Sequence, residues 1–111
     1  MNDEGRQALD DIEAAWNEAP AAWNPEALAA VYADDALLFG VRPGHAVGAT
    51  AIRDYFASYM GVILAGTMRL VDQQILSLAP GVFLAQGFVD FAFVLSGNQS
   101  TKSFLRTTLV V

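Results

Sequence analysis

The chain has 111 residues, a length that predicts one domain over residues 1–111. Its hydrophobic content of 54% is high and its charged content of 16% is low, so the interior is either unusually large or shared with a partner. Binding to nucleic-acid phosphates requires clustered cations and is not expected of a chain with net charge −6 and a single Lys. The lack of Cys excludes disulfides, thiol nucleophiles and thiolate metal sites.

The two ends of the chain differ in charge. Residues 1–35 carry nine acids and one Arg, whereas residues 36–111 carry three acids, four Arg and one Lys. The N-terminus has neither a basic start nor an apolar core, so no signal peptide is expected. The longest uncharged run, residues 73–89, is interrupted by Pro80 and Gly81, which indicates two strands rather than a membrane span. We expect a cytoplasmic protein that contacts no membrane.

The N-terminal segment predicts a first helix. Asn2, Asp3 and Glu4 place an acidic first turn against the helix dipole, and Pro20 ends the helix. Apolar residues recur at helical spacing and form the stripe Leu9, Ile12, Ala15, Trp16 and Ala19.

A second helix is predicted from Asn24 as N-cap and Pro25 as first helical residue. Its buried stripe is Leu28, Val31 and Tyr32, and Asp34 and Asp35 end it. Residues 36–39 then predict a short strand, residues 40–48 an irregular loop, and residues 49–63 a third helix. The inner side of this helix is Ile52, Tyr55, Phe56, Tyr59, Met60 and Ile63.

From residue 67 onwards the period changes to that of strands, which we place at residues 67–79, 82–95 and 100–111. Residues 79–81 and 97–99 predict the connecting hairpin turns. Helices followed by a meander of long strands predict an α+β fold. Both faces of the middle strand are apolar, so both need cover. The helices cover one face, and we expect a second copy to cover the other, in a homodimer formed through the sheet.

The segment from Asn24 to Tyr59 resembles the nuclear transport factor 2-like superfamily, in its SnoaL-like and ketosteroid-isomerase-like bacterial branches. The likeness rests on Asp34-Asp35, the Arg42-Pro43-Gly44-His45 loop and, above all, the Gly48-x-x-Ala51-Ile52 element. The resemblance implies a curved antiparallel sheet wrapped around three helices as a cone with an apolar cavity, commonly dimeric. Family members usually add a closing strand after the third long strand; either that strand is absent from this protein or the sequence stops before it.

The same resemblance argues against ketosteroid isomerase chemistry. Aligning on residues 33–36 puts Gly40 where those isomerases have the Asp base and Trp16 where they have a Tyr. Arg106 lies near the position of their second acid. Position 40 therefore has no carboxylate base and position 16 has no phenol. The apolar cavity is still expected.

Asp90 and Arg106 are the sharpest candidates for catalysis. With a turn at residues 97–99, antiparallel pairing places Asp90 opposite Arg106 and on the same face as Phe88 and Phe104. Inside the cone such a pair could orient a carbonyl or carboxylate. The alternative is a cross-strand ion pair that contributes about 0.2–1 kcal/mol.

His45 is the third catalytic candidate, since it is the single His and could act as a general base. The alternative is a partly exposed loop residue. No second His accompanies it, so neither a metal site nor a cofactor is expected. The predicted ligand-binding residues, which could equally be plain core, are Trp16, Tyr32, Phe39, Tyr55, Tyr59, Phe88 and Phe104.

Two functions remain open. The first is a small-molecule pocket protein, with isomerase, cyclase, dehydratase or hydrolase activity on a hydrophobic or polycyclic substrate. The second is a non-catalytic ligand-binding or dimerisation domain. This fold hosts many chemistries, so the resemblance leaves the choice between them undecided.

Overall fold

The computed structural model describes residues 3–18, 22–40 and 42–111. Three helices, α1 (Asp3–Glu18), α2 (Pro25–Ala29) and α3 (Ala49–Ala57), precede and flank a short hairpin of β1 (Leu37–Leu38) and β2 (Ala46–Val47). Three long strands follow, β3 (Ile63–Ala79), β4 (Val82–Leu95) and β5 (Gln99–Val110). They form an antiparallel sheet in the order β3-β4-β5, which confirms the α+β prediction. None of the helices in these ranges has the length and apolar character needed to cross a membrane.

The predicted start of the second helix agrees with the structure. The Asn24 side chain accepts a hydrogen bond from the Ala27 N–H at 3.1 Å, and Pro25 is the first residue of α2. Leu28 is fully buried. The predicted end of this helix at Asp34 and Asp35 is wrong, since α2 ends at Ala29, and Val31 and Tyr32 lie in the turn that follows, half-buried. Of the predicted first helix, Asn2, Ala19 and Pro20 lie outside the described residues, as does Val41 of the predicted loop.

Two boundaries differ from the prediction because pairing overrides local pattern. The third helix ends at Ala57 rather than at residue 63, and β3 begins at Ile63 rather than at residue 67. Ile63 pairs with Leu95, so the long β4 partner draws the preceding residues into the ladder. The predicted irregular loop likewise contains β2, whose Val47 pairs with Leu37.

The sheet has two distinct faces, set by the alternation of side chains along each strand. Phe91 contacts Trp16 of α1, with ring centroids 5.6 Å apart, and Phe93 contacts Trp23 at 6.2 Å. We call this the helix-side face; on β4 it carries Phe83, Ala85, Val89, Phe91 and Phe93. The opposite, outer face of β4 carries Leu84, Phe88, Asp90, Ala92 and Val94.

Helix α1 lies along the free edge of β3 and satisfies its backbone. The Asn17 side chain both donates to the Met68 carbonyl (2.8 Å) and accepts from the Met68 N–H (2.6 Å). The Glu13 carboxylate accepts from the Leu70 N–H at 2.6 Å. One edge of the sheet is therefore covered by polar side chains, which blocks pairing with another strand.

Candidate ligand-binding site

The interior between the helices and β4 is filled with aromatic rings. Trp23 contacts four of them, with centroid separations of 5.9–6.3 Å in edge-to-face geometry: Trp16, Phe56, Tyr59 and Phe93. Trp16 and Trp23 are 4% and 8% exposed. Trp16, which was predicted to bind ligand, is thus a residue of the packed core. A ligand could contact it only at the edge of this aromatic cluster.

Tyr32 lies at that periphery, half-buried and packed against the core. Burial raises the pKa of its phenol, and a hydrogen bond with the Trp16 indole partly offsets this by lowering the pKa. The indole N–H is a donor only, so it donates to the Tyr32 hydroxyl oxygen. This hydrogen bond does not use the Tyr32 proton, and the phenol is neutral at physiological pH because its pKa is raised from 10.0.

Tyr55 and Tyr59 form a second pair of phenols, on α3 and the turn after it, with ring centroids 5.7 Å apart. Burial raises the pKa of Tyr59 to about 12, helped by the hydrogen bond and the charge of Tyr55 and opposed by the Arg42 guanidinium. The guanidinium carbon lies 4.2 Å from the centre of the Tyr59 ring, and Arg42 also donates to the Ser58 hydroxyl at 2.6 Å. Arg42, in the loop between β1 and β2, therefore contacts the residues that follow the end of α3.

Phe39 and His45 sit apart from this aromatic interior. Their rings stack with centroids 4.3 Å apart and an interplanar angle of 17°. Phe39 is 71% exposed and His45 is also exposed. The structure thus places a predicted ligand-binding residue and a predicted catalytic residue together on the surface of the hairpin, where the catalytic role of His45 stays a prediction.

The predicted geometry of Asp90 and Arg106 is wrong in two respects. Asp90 pairs with Phe104 rather than with Arg106, which lies opposite Phe88. The cause is the turn: Gly97 and Asn98 both have positive φ (81° and 58°), which releases Gln99 into the strand opposite Leu95.

Asp90 and Arg106 also lie on the outer face, away from the helices, because α1 packs against the face that carries Phe91. Asp90 instead meets Arg69 of β3, with a nitrogen-to-oxygen distance of 3.3 Å. Phe88 and Phe104 stack on the same outer face with centroids 5.0 Å apart. A catalytic role for Asp90 and Arg106 inside the cone loses its geometric basis.

Asp90 does line a depression of about 310 Å³ beside α1 and the β3 edge. Arg69, Lys102 and Glu13 also line it, so charges of both signs surround it. Across residues 3–18, 22–40 and 42–111, no group of three or more His, Asp or Glu side chains is arranged to hold a metal ion.

The helix-side face of β5 carries residues that were not among the predicted site residues. Ser103 pairs with Phe91, Leu105 with Val89 and Thr107 with Gly87, so these three side chains share the face that contacts the helices. Leu105 is nevertheless 39% exposed, and Ser103 and Thr107 are half-buried. The helices therefore leave part of this face open. The alternation of side chains along β5 could have predicted this face. Residues 103, 105 and 107 are odd-numbered and therefore lie on the other side of the strand from Phe104 and Arg106.

Several solved structures share this fold over nearly the whole chain. A protein provisionally named as a calcium/calmodulin-dependent protein kinase II association domain, from Xanthomonas campestris, matches with a TM-score of 0.79 at 19% identity, over 99% of this chain and 75% of its own. An uncharacterised protein with a cystatin-like fold, from Caulobacter vibrioides, matches with a TM-score of 0.67 at 25% identity, over 96% and 78%. A nuclear transport factor 2-like superfamily protein from Salmonella enterica matches with a TM-score of 0.71 at 16% identity, over 96% and 75%.

Proteins named as enzymes also have this fold. One is a hexachlorocyclohexane dehydrochlorinase, with a TM-score of 0.73 at 17% identity, and another is provisionally named a scytalone dehydratase, with a TM-score of 0.67 at 12% identity. No protein-family model and no curated protein sequence matches the chain. At these identities the likeness establishes the fold, which is one that enzymes acting on small molecules share.

Proposed function

Because the chain has the α+β fold of the nuclear transport factor 2-like superfamily, we propose that it binds a small, mainly apolar molecule on the open helix-side face of β4 and β5. The observation that carries the proposal is Leu105, which is 39% exposed on the same face as Phe91 and Phe93, the rings that contact Trp16 and Trp23. Apolar side chains with a few polar groups beside them are typical of the lining of small-molecule sites.

Trp16 lies between the helix-side face of β4 and the hydroxyl of Tyr32, which could donate a hydrogen bond to a ligand. Trp16 touches Phe91 and hydrogen-bonds with Tyr32, and Phe91 lies opposite Ser103. We propose that Phe91 and Leu105 form the apolar floor of the site and that the hydroxyls of Tyr32 and Ser103 are its polar groups. These groups suit a ring system that carries a carbonyl.

The reactions expected from the sequence, namely isomerisation, cyclisation, dehydration and hydrolysis of a polycyclic substrate, need an acid or base beside the ligand. Tyr32 is such a group, and its raised pKa makes it a proton donor rather than a base at neutral pH. We therefore propose binding as the function, with Tyr32 polarising a ligand carbonyl. Proteins of similar fold that are named as enzymes, a dehydrochlorinase and a scytalone dehydratase, are compatible with this use of the site.

Binding is tested with 2-acetylnaphthalene and its apolar analogue 2-ethylnaphthalene, followed by quenching of Trp16 and Trp23 fluorescence. The wild-type protein is expected to bind the ketone about fivefold to tenfold more tightly, because a neutral hydrogen bond contributes about 1 kcal/mol. Tyr32→Phe should remove that preference and leave the affinity for 2-ethylnaphthalene unchanged.

Two neighbouring residues on β5 provide a matched control for the location. Leu105→Glu places a charge on the proposed floor and should abolish binding of both compounds, whereas Phe104→Glu alters the outer face and should leave it intact. Equal affinities in the wild type and Leu105→Glu would show that the ligand site lies elsewhere.

Self-association through the sheet is a second proposed property, favoured by the exposure of β5. On the outer face of the sheet, Phe104 and Val110 of β5 are 59% and 67% exposed, and Leu76 of β3 is 59% exposed. Surface of this kind is typical of protein–protein contacts. A protein of similar fold carries the name of an association domain, which agrees with assembly.

Light scattering tests self-association directly. At tens of micromolar, the mass is expected to be twice the 11.9 kDa of the chain. A mass of 11.9 kDa across 5–200 µM would contradict it.

A further inference from the structure

We propose that the depression beside α1, on the outer face of the sheet, binds a short zwitterion with a carboxylate at one end and an ammonium group at the other. The depression has a volume of about 310 Å³. This is at the lower end of the range of about 300–1,000 Å³ that is usual for small-molecule sites. The depression lies on the opposite face from the proposed apolar site, so the inference goes beyond that proposal and does not depend on it.

The floor of the depression is low because two of its side chains are small. Thr67 of β3, Ala92 of β4 and Lys102 of β5 form one row across the sheet, since Ala92 pairs with both of the others. On the same face, two residues further along these strands, Arg69 pairs with Asp90. The small side chains at positions 67 and 92 are therefore bordered by longer ones, which leaves a space above them.

Charged side chains are concentrated around this floor. Residues 63–111, which form the long strands and their turns, include five charged residues: Arg69, Asp72, Asp90, Lys102 and Arg106. Three of them, Arg69, Asp90 and Lys102, line the depression, and Glu13 of α1 lines it as well. Two cations and two anions thus surround one space, an arrangement that is complementary to a ligand carrying both signs of charge.

Two of these four charges already neutralise each other. Arg69 donates a hydrogen bond to Asp90 across 3.3 Å, and the two side chains are 69% and 34% exposed. Glu13 and Lys102, by contrast, form no ion pair with any residue in the described ranges. They are therefore the two groups whose charge a bound molecule would balance.

Glu13 and Lys102 approach the depression from opposite sides. Glu13 belongs to α1 at the β3 edge, and the hydrogen bond that it accepts from the Leu70 N–H at 2.6 Å holds its carboxylate in place. Lys102 belongs to β5, which lies two strand spacings, or about 10 Å, from β3. Because the two charges do not meet, a short chain can bridge them. Its ammonium group would bind the second oxygen of Glu13, and its carboxylate would accept a hydrogen bond from Lys102.

The residues proposed for self-association share the outer face with the depression, but most of them lie away from it. Leu76 and Val110 both pair with Leu84, which is six residues along β4 from Asp90, or about 20 Å. Phe104 pairs with Asp90 and lies at the border of the depression. Self-association centred on Leu76 and Val110 therefore leaves the depression open to a small molecule.

Nuclear magnetic resonance tests the proposal with three compounds of similar length. 4-Aminobutyrate carries both charges, butyrate carries only the carboxylate, and protonated butylamine carries only the ammonium group. We expect 4-aminobutyrate to bind at millimolar concentration and low ionic strength, with saturable shifts of the amide signals of Thr67, Ala92 and Lys102. Butyrate and butylamine should each bind at least about fivefold more weakly, because each loses one charge-assisted hydrogen bond.

Substitutions at the two unpaired charges test the residues. Glu13→Gln keeps an oxygen for the Leu70 N–H and removes the charge, and Lys102→Met removes the charge from an exposed side chain. Each should weaken binding of 4-aminobutyrate by at least about fivefold. Arg106→Met is the matched control, since Arg106 is an exposed cation on the same face that does not line the depression. Its affinity should equal that of the wild type.

Four results would overturn the proposal. Shifts that do not saturate would mean that 4-aminobutyrate has no site on the protein. Equally tight binding of butyrate or butylamine would show that only one charge is recognised. Unchanged affinity in both Glu13→Gln and Lys102→Met would place the site elsewhere. A loss in Arg106→Met as large as that in Lys102→Met would show that binding follows the net charge of the face rather than the depression.

Discussion

Trp23→Ala is expected to lower the free energy of unfolding by about 3–5 kcal/mol, the usual cost of removing a buried Trp side chain. Trp23 is 8% exposed and touches Trp16, Phe56, Tyr59 and Phe93. Its indole N–H also donates to the Phe56 carbonyl at 2.9 Å. The residue thus links α1, α3 and β4, and its loss leaves a cavity at the junction of all three.

Urea unfolding followed by far-UV circular dichroism measures this change, which is large compared with a typical stability of about 5–15 kcal/mol. Trp23→Phe keeps a ring but loses the hydrogen bond, so its loss should be smaller, about 1–3 kcal/mol. Met60→Ala, at a 56% exposed apolar residue, serves as the control and should change stability by less than about 0.5 kcal/mol. An equally small change for Trp23→Ala would mean that the aromatic cluster does not hold the helices to the sheet.

Gly87→Ala is the second substitution with a large expected effect, a loss of about 2–4 kcal/mol. A Cβ at position 87 would lie 2.5 Å from the Asp72 carbonyl oxygen and 2.7 Å from the Gln73 amide nitrogen. The carbonyl belongs to the backbone and cannot rotate away. Overpacking of this kind costs about 1–3 kcal/mol, and displacement of the Gln73 amide adds the loss of its hydrogen bond.

The surrounding bulge explains why position 87 has no room. The register of β3 with β4 shifts between Val71 and Gln74, and Asp72 has a φ of 52°. Gln73 folds over Gly87 and donates to the Phe88 carbonyl at 2.8 Å, so a side-chain amide replaces a missing ladder bond. The Gln73 side chain is buried, and its oxygen has no partner among the described residues.

Gln86→Ala, at the exposed neighbour of Gly87 on the same strand, is the control and should change stability by less than about 1 kcal/mol. Both variants are measured by urea unfolding. In addition, Gly87→Ala and Gln73→Ala should be strongly non-additive, since the second removes an amide that the first displaces. Additive losses would show that the Gln73 amide does not fill the space above Gly87.

The fold class could be predicted because its signals are local. Asn24 and Pro25 cap α2 through contacts within one turn of the chain. Gly81 and Asn98 adopt the positive φ values that their turns require, and the period-2 pattern of the long strands needs no knowledge of their partners. The candidate site depended on two quantities that no local pattern contains: the register of β4 with β5, and the choice of face covered by the helices.

What the sequence determined by itself is the order of the three helices and the three long strands, since caps, turns and side-chain periodicity act over a few residues. The tertiary structure decided that Asp90 forms an ion pair with Arg69 on the outer face. It also decided that the Tyr32 hydroxyl accepts a hydrogen bond from the Trp16 indole and that Leu105 is partly exposed on the helix-side face. The reason is physical. The turn at Gly97 and Asn98 shifts the register of β4 with β5 by two residues from the predicted one, which changes the side chains that lie opposite each other. Both faces of β4 are apolar, and the packing of Trp16 on Phe91 determines which of them becomes the interior.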